Sequence, residues 1–122
     1  MTNKQFSKLI KKFRKQQDEL ILLKGYDYTM GQHELDRLFN FKWVAGVLGI
    51  SPLQVFAVYW LKHILAILTY IKTGVVKSEA LASRFLDENN YNLLGYSLIK
   101  ELQANQKKRK RKACKIKRKA SK

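Results

Sequence analysis

The sequence has few acidic residues and only one cysteine. Nine aspartates and glutamates stand against 25 lysines and arginines in 122 residues, which gives a formal net charge of +16. The lone Cys114 cannot form an internal disulfide, so nothing indicates a disulfide-stabilised secreted domain. The N-terminus is charged and lacks the apolar segment of a secretory signal. We therefore expect a cytoplasmic protein.

Motifs that define several common functional classes are also missing. The chain has no Walker phosphate loop, no dinucleotide-binding glycine fingerprint, no zinc-type cysteine and histidine set, and no serine or cysteine nucleophile motif. Its hydrophobic fraction of 46% is ordinary and can supply the core of one small domain.

The positive charge is concentrated at the two ends of the chain. Residues 107–122 hold eleven basic residues and no acidic residue. They are Lys107, Lys108, Arg109, Lys110, Arg111, Lys112, Lys115, Lys117, Arg118, Lys119 and Lys122. A second basic cluster comprises Lys4, Lys8, Lys11, Lys12, Arg14 and Lys15. We therefore divide the chain into a helical body, residues 1–106, and a basic tail, residues 107–122.

The basic tail is the strongest functional signal in the sequence. Blocks of like charge this dense usually act as interaction tails, and their cations attract phosphates whatever the base sequence. Nucleic acid is the predicted partner; an anionic membrane surface and a solubilising role are the alternatives. Because its charges repel and it has no face to bury, we expect the tail to be disordered when unbound, or else to extend the last helix.

Apolar spacing predicts helices throughout the body and no strand. The first helix covers about residues 3–24, and Gly25 is expected to end it. The second covers about residues 34–48 and ends at Gly49. With two further helices, the predicted fold is all-α, a four-helix bundle followed by the tail.

The third and fourth helices complete this bundle. Ser51 is expected to cap the third, with Pro52 in its first turn and Gly74 at its end. Leu53–Ile71 is apolar nearly all round, so we expect a central helix packed on several sides. The fourth helix covers about residues 78–106.

The third helix also has the length to cross a bilayer. Lys62 and His63 lie near its middle, where a charged residue costs about 3 kcal/mol on insertion scales. We therefore predict a core helix of the body and no membrane span.

The junction between the second and third helices resembles a helix-turn-helix. Ala45, Gly49 and Val55 occupy the small, turn and inward positions of that motif. A recognition helix must present polar side chains to base edges, and here only Gln54 is a good reader of bases. A plain helical hairpin is the favoured interpretation.

Polar side chains occur where a bundle would bury them. Lys62 and His63 lie in the apolar third helix, Asp27 lies between two tyrosines, and Asp87 lies on the fourth helix. Buried charge must be paired or used. One interpretation is an ion pair of Lys62 or His63 with Asp87 that fixes helix register. The other is a divalent metal held by Glu79 and Asp87, with the lysine or histidine on a phosphate.

Four short stretches carry a family resemblance. In chain order they are Lys24-Gly25-Tyr26-Asp27-Tyr28, Asp36-Arg37-Leu38-Phe39-Asn40-Phe41-Lys42, Leu61-Lys62-His63, and Ser78-Glu79 followed by Arg84, Asp87, Asn90 and Tyr91. In their order and spacing they resemble small phage and prophage proteins of the nucleotide-modification-associated domain type. That family is considered related to the all-helical, MazG-like NTP pyrophosphohydrolases.

The resemblance implies an all-α domain with a polar pocket for a nucleotide. Carried over by position, the pocket candidates are Asp27, Arg37, Asn40, Lys62, His63, Asn90 and Tyr91. The metal candidates are Glu79 and Asp87, which would hold Mg or Mn if the protein were an enzyme. The paired carboxylate motifs of an active MazG-like site are absent, since Arg37 follows Glu34 at i+3 and Ala82 follows Glu79. No catalytic residue is assigned.

The leading functional hypothesis is a small phage-type accessory protein that binds nucleic acid through its tail and holds a nucleotide in its body. The alternatives are a metal-dependent nucleotide pyrophosphohydrolase, an inhibitor of a host nucleic-acid-handling protein complex, and a helix-turn-helix DNA-binding protein. A phage-encoded protein would act in the host cytoplasm. The apolar third helix leaves room for a homo-oligomer, and MazG-like relatives commonly assemble.

Overall fold

The computed structural model describes residues 1–32 and 34–121, and within them the chain forms four helices and no strand. The helices are α1 (Asn3–Asp27), α2 (Phe39–Leu48), α3 (Pro52–Thr73) and α4 (Leu81–Ala120). The predicted all-α four-helix bundle is confirmed.

Local sequence explains how α3 begins and how α2 and α3 end. The Ser51 hydroxyl accepts a hydrogen bond from the Gln54 backbone, and the Gln54 side chain accepts one from the Ser51 backbone. With Pro52 in the first turn, this reciprocal capping box fixes the start of α3. Gly49 and Gly74 end α2 and α3 with φ of 67° and 68°, a left-handed conformation that glycine adopts without strain.

The end of α1 differs from the sequence expectation. The helix passes through Gly25 and ends at Asp27. The Arg37 guanidinium lies against Gly25, and a Cβ there would be 3.2 Å from Arg37 Nε. Gly25 is therefore buried under a tertiary contact within the helix and does not stop it.

The starts of α2 and α4 are also later than expected. α2 begins at Phe39 and not near residue 34, because the Asp36 carboxylate accepts a hydrogen bond from the Leu38 backbone and stabilises a turn before the helix. α4 begins at Leu81 and not near residue 78. The residue before it, Ala80, is the N-cap and makes no side-chain hydrogen bond to the helix.

The core lies where α2, α3 and α4 meet. Phe41 is fully buried at its centre. Its ring packs against those of Phe56, Tyr59 and Tyr91, with centroids 6.3 to 6.4 Å apart. The aliphatic members of the buried cluster are Leu38, Ala45, Val55 and Leu98. Tyr59 and Tyr91 of this aromatic centre also line the candidate site.

Lys42 links α2 to α4 at the edge of this core. Its ammonium lies 2.8 Å from Asp36 and 2.8 Å from Glu101. Burial alone would lower the pKa of Lys42, but hydrogen bonds with the two carboxylates raise it above the ordinary lysine value. The lysine is therefore charged and bridges both acids at neutral pH.

α3 is not the buried central helix that its composition suggested. It packs against α2 and α4 on one face, while α1 packs against α4 and not against α3. On its other face Val58, Leu61, Leu65 and Leu68 are between 53% and 65% exposed. By length and composition alone, α3 could cross a membrane. The prediction of a helix packed on several sides was therefore wrong, because α1 docks elsewhere.

The basic tail continues α4 as a helix to Ala120. Of the two states expected for the tail, the structure shows the helical extension and not disorder. Lysine, arginine, glutamine and alanine are strong helix formers. The basic residues of the last turn also interact favourably with the negative end of the helix dipole. These local preferences outweigh the repulsion between solvated like charges.

Gly95 marks the closest approach of α4 to α3. A Cβ there would lie 2.3 Å from Cζ of Phe56, whose ring packs against Phe41 and Trp60. Gly95→Ala is expected to lower the free energy of unfolding by about 1–3 kcal/mol through overpacking, although alanine is the better helix former. Gly46→Ala, with nothing within 4 Å, should instead raise it by up to about 1 kcal/mol. Urea unfolding measures both changes. If the two variants changed the free energy of unfolding in the same direction, the close contact between Gly95 and Phe56 would be contradicted.

Candidate functional site

A polar cavity of about 470 Å³ opens between the end of α1, the turn after it and the core helices. Its size is that of a small-molecule site. All seven pocket candidates and both metal candidates line it: Asp27, Arg37, Asn40, Lys62, His63, Glu79, Asp87, Asn90 and Tyr91. The structure thus brings together residues that are up to 64 positions apart in the sequence, from Asp27 to Tyr91.

Asp87 carries the buried charge of the cavity. Its side chain is 8% exposed, and its Oδ1 accepts a hydrogen bond from Lys24 Nζ. His63 Nδ1 lies 4.0 Å from the other oxygen. The ion pair expected with Lys62 or His63 is therefore made mainly with Lys24, and it joins α1 to α4. Sequence reasoning missed Lys24 because it read as one more lysine on the charged face of α1.

His63 is a neutral side chain at this site. Its ring lies 4.7 Å from that of Tyr91, measured between centroids. Burial lowers the pKa of His63, the Asp87 carboxylate raises it, and three nearby cations lower it again, so the net shift is downward. At neutral pH the imidazole is therefore uncharged, and Lys24 is the counter-ion of Asp87.

Within the described residues, three side chains at the cavity bury polar atoms that have no hydrogen-bond partner. They are Asn40 through Oδ1, His63 through Nδ1, and Asn90 through both Oδ1 and Nδ2. Native proteins satisfy nearly all buried polar groups, and each one left unsatisfied costs about 1–3 kcal/mol. Their residues all line the same cavity, and the unsatisfied atoms include both hydrogen-bond donors and acceptors.

Aromatic side chains form one wall of the cavity. The rings of Tyr59 and Tyr91 lie 6.2 Å apart, and Tyr28 and Trp43 also line the space. Burial raises the pKa of Tyr91 to about 12, so its hydroxyl stays protonated and can donate a hydrogen bond. Sequence reasoning did not place Tyr59 and Trp43 at the cavity, because an aromatic residue in an apolar helix gives no local signal of a ligand site.

Arg37 and Lys62 supply positive charge to the cavity. Arg37 Nη2 donates to the Ile21 carbonyl at 3.0 Å, which fixes the guanidinium beside α1. Burial lowers the pKa of Arg37 and Tyr91 opposes this shift, but a guanidinium stays charged in proteins. Lys62 is exposed and forms no ion pair within the part of the chain that the structure describes.

Glu79 and Asp87 both line the cavity, and each lies beside a cationic side chain. Among residues 1–32 and 34–121, no group of three histidine, cysteine, aspartate or glutamate side chains could hold an ion. Glu79 lies 3.6 Å from Arg84, and Asp87 is paired with Lys24. Mg²⁺ and Mn²⁺ prefer several oxygen ligands, and here both candidate carboxylates face cations. The described residues therefore contain no cluster of three metal ligands that would support the metal-dependent pyrophosphohydrolase alternative.

The candidate recognition helix of the helix-turn-helix alternative turns its aromatic residues inward. Phe56 and Tyr59 pack on Phe41, and Trp60 Nε1 donates to Asn92 of α4 at 2.9 Å. Gln54 takes part in the capping box at the start of α3. The contacts therefore correspond to a helical hairpin, whose facing surfaces form the core.

The basic tail displays positive charge on every side of its helix. Each described residue from 103 to 121 is exposed. Ten basic residues lie between Lys107 and Lys119; the eleventh, Lys122, lies outside the described residues. At about 1.5 Å per residue, the part of α4 beyond residue 106 is about 20 Å long. This segment is a cationic rod without a packing partner in the described chain.

Comparisons with known protein families, with curated proteins and with solved structures found no match. The resemblance to phage nucleotide-modification-associated proteins therefore stays a prediction. The cavity and the basic tail are the two features of the structure that bear on function.

Proposed function

We propose that this protein binds nucleic acid through its basic tail and holds a nucleotide in the cavity of its body. The basic tail carries the proposal: it is a helix with ten exposed cations and no acidic residue. Such a helix neutralises phosphates and releases their counterions, which favours binding without reading bases. An α-helix also fits the major groove of duplex DNA.

The N-terminal half of α1 offers a second cationic surface. Its basic residues, Lys4, Lys8, Lys11, Lys12, Arg14 and Lys15, are all exposed. Lys15 lies 3.9 Å from Glu19, whereas the remaining residues of this cluster have no acidic partner within ion-pair distance in the described chain. This surface supports the same function, with fewer charges than the tail.

Equilibrium binding of nuclease-treated protein to single- and double-stranded DNA and RNA tests this proposal. By fluorescence anisotropy at low salt, we expect binding to each form, governed by charge and not by base sequence. Anionic lipid vesicles compete in the same assay. Binding to vesicles with no binding to any nucleic acid would overturn the proposal in favour of a membrane surface.

The nucleotide part of the proposal is supported by the chemistry of the cavity. The unpaired amide atoms of Asn40 and Asn90 can hydrogen-bond a base edge, as asparagine does with adenine in other settings. The aromatic wall offers rings on which a base can stack. Arg37 and Lys62 provide the cations that a phosphate requires.

Asn90→Leu separates ligand binding from folding. Neither amide atom of Asn90 has a partner, so an apolar side chain of similar shape removes a desolvation cost. The free energy of unfolding should stay constant or rise by about 1 kcal/mol. Affinity for nucleoside phosphates should fall at least about tenfold, which corresponds to the loss of one to two hydrogen bonds. Calorimetric titration measures the affinity.

Asn92→Leu is the matched control on the same helix. Asn92 lies outside the cavity, and its amide makes hydrogen bonds with Trp60 and Glu88. This change should lower stability and leave nucleotide affinity unchanged. A wild-type protein that binds no nucleoside phosphate would refute the nucleotide part and would leave the nucleic-acid part, which does not involve the cavity, standing.

A further inference from the structure

The outer face of α3 carries a regular apolar stripe. Val58, Leu61, Leu65 and Leu68 recur at alternating spacings of three and four, and each is more than half exposed. At about 100° per residue they lie on one side of the helix, about 180° from the core-facing ring of Phe56. This is the a and d pattern of a helix that packs along another helix.

The chain as a whole exposes more surface than a compact monomer of its mass. Its accessible surface is 9861 Å², whereas a folded monomer of 14.3 kDa exposes about 6800 Å². The projecting basic tail and the uncovered stripe on α3 both contribute to this excess. A stable interface covers about 800 Å² on each partner around an apolar centre, and the stripe supplies such a centre.

We propose that the stripe binds the same stripe of a second copy of this chain, with the two α3 helices antiparallel. With its polar ends, the stripe consists of Gln54, Val58, Leu61, Leu65, Leu68 and Lys72. Its spacings of four, three, four, three and four read the same in both directions. A two-fold axis midway between Leu61 and Leu65 therefore places apolar residues opposite apolar residues. The polar residues meet at the two ends.

The polar ends select the antiparallel orientation. In that orientation Lys72 of each copy lies opposite the neutral Gln54 of the other. In a parallel pair, the two copies of Lys72 would lie opposite each other and repel. Antiparallel pairing matches the a layers of one helix with the d layers of its partner, and the palindromic spacing allows this match along the whole stripe.

A lipid bilayer is the competing occupant, and the opposite face of α3 disfavours it. α2 and α4 cover that face, which contributes Tyr59 and His63 to the polar cavity. Insertion of α3 would strip these helices away or bring the buried charge of Asp87 into hydrocarbon. A second copy covers the stripe and leaves the cavity and its helices in place.

Sedimentation equilibrium of the full-length, nuclease-treated protein in high salt tests the interface. The wild type is expected to sediment at twice the chain mass of 14.3 kDa. Leu65→Glu places a carboxylate at the centre of the stripe and should raise the dimer dissociation constant by about a hundredfold or more. Leu22→Glu is the matched control: this leucine of α1 is 72% exposed and lies away from the stripe, so the dimer should persist.

A double variant tests the orientation and guards against misfolding. Leu61→Lys combined with Leu65→Glu sets opposite charges against each other only in an antiparallel pair, so self-association should return. A monomeric wild type, a dimer that Leu65→Glu leaves intact, or a double variant that stays monomeric would overturn the proposal. So would co-flotation with neutral phosphatidylcholine vesicles that Leu65→Glu abolishes, because it would assign the stripe to a membrane.

Discussion

Replacing the ten basic residues between Lys107 and Lys119 with glutamine is expected to lower nucleic-acid affinity by about a thousandfold or more at low salt. Each phosphate contact releases a counterion, so the loss accumulates with the number of charges removed. Glutamine has nearly the helix propensity of lysine, so the helix should persist while its charge disappears. Fluorescence anisotropy with a single strand and a duplex measures the change, and circular dichroism checks the helix.

A tail in which every lysine is replaced by arginine is the matched control. It keeps the charge and the helix propensity, so its affinity should stay within about tenfold of the wild type. If the glutamine variant binds as tightly as the wild type, the tail is not the binding surface. The basic cluster of α1, from Lys4 to Lys15, would then be the remaining candidate.

Lys24→Met is expected to lower the free energy of unfolding by about 3 kcal/mol. Lys24 is the cation hydrogen-bonded to Asp87, whose side chain is 8% exposed. Without it the buried carboxylate loses its counter-ion, and His63, 4.0 Å away, makes no hydrogen bond with it within the described residues. Methionine keeps the apolar stem of the side chain, so the loss in free energy of unfolding comes from the missing charge and not from lost packing. Urea unfolding measures the change.

Two further variants make this test specific. Lys24→Met combined with Asp87→Leu removes both charges and should recover most of the lost stability, because a buried ion pair is worth little over an apolar pair. Lys15→Met breaks the exposed pair with Glu19 and should leave stability nearly unchanged. A Lys24→Met protein as stable as the wild type would show that Asp87 does not depend on this ion pair.

The helix ends that were predictable are those fixed by neighbours in the sequence. Ser51, Pro52 and Gln54 form the start of α3 among themselves, and Gly49 and Gly74 end helices through their own backbone freedom. These interactions involve residues only a few positions apart, so the local sequence is enough to predict them.

The features that could not be predicted depend on distant contacts. Gly25 continues α1 because Arg37 packs on it, and no local pattern reveals that contact. Lys24 pairs with Asp87 across 63 positions, and in the sequence it looks like any other surface lysine. Polar residues of the cavity were recognisable because they interrupt apolar helices, whereas its aromatic wall was not.

Composition also misled the interpretation of α3. A helix that is apolar nearly all round needs cover on several sides, and the sequence does not say whether that cover comes from the same chain. Here α1 packs on α4, and the stripe from Val58 to Leu68 stays exposed. The period of the apolar residues correctly predicted the helix. It did not reveal which surface covers its apolar faces.

The dependence of nucleic-acid affinity on salt tests most directly whether the basic tail binds nucleic acid through phosphate contacts. If the basic tail forms six to ten phosphate contacts, the affinity of the full-length protein should fall by about 10³ to 10⁵ between 50 and 200 mM salt. The glutamine variant should show a nearly flat dependence over the same range. A flat dependence for the full-length protein, or no binding at low salt, would contradict the assignment of the basic tail as a nucleic-acid-binding helix.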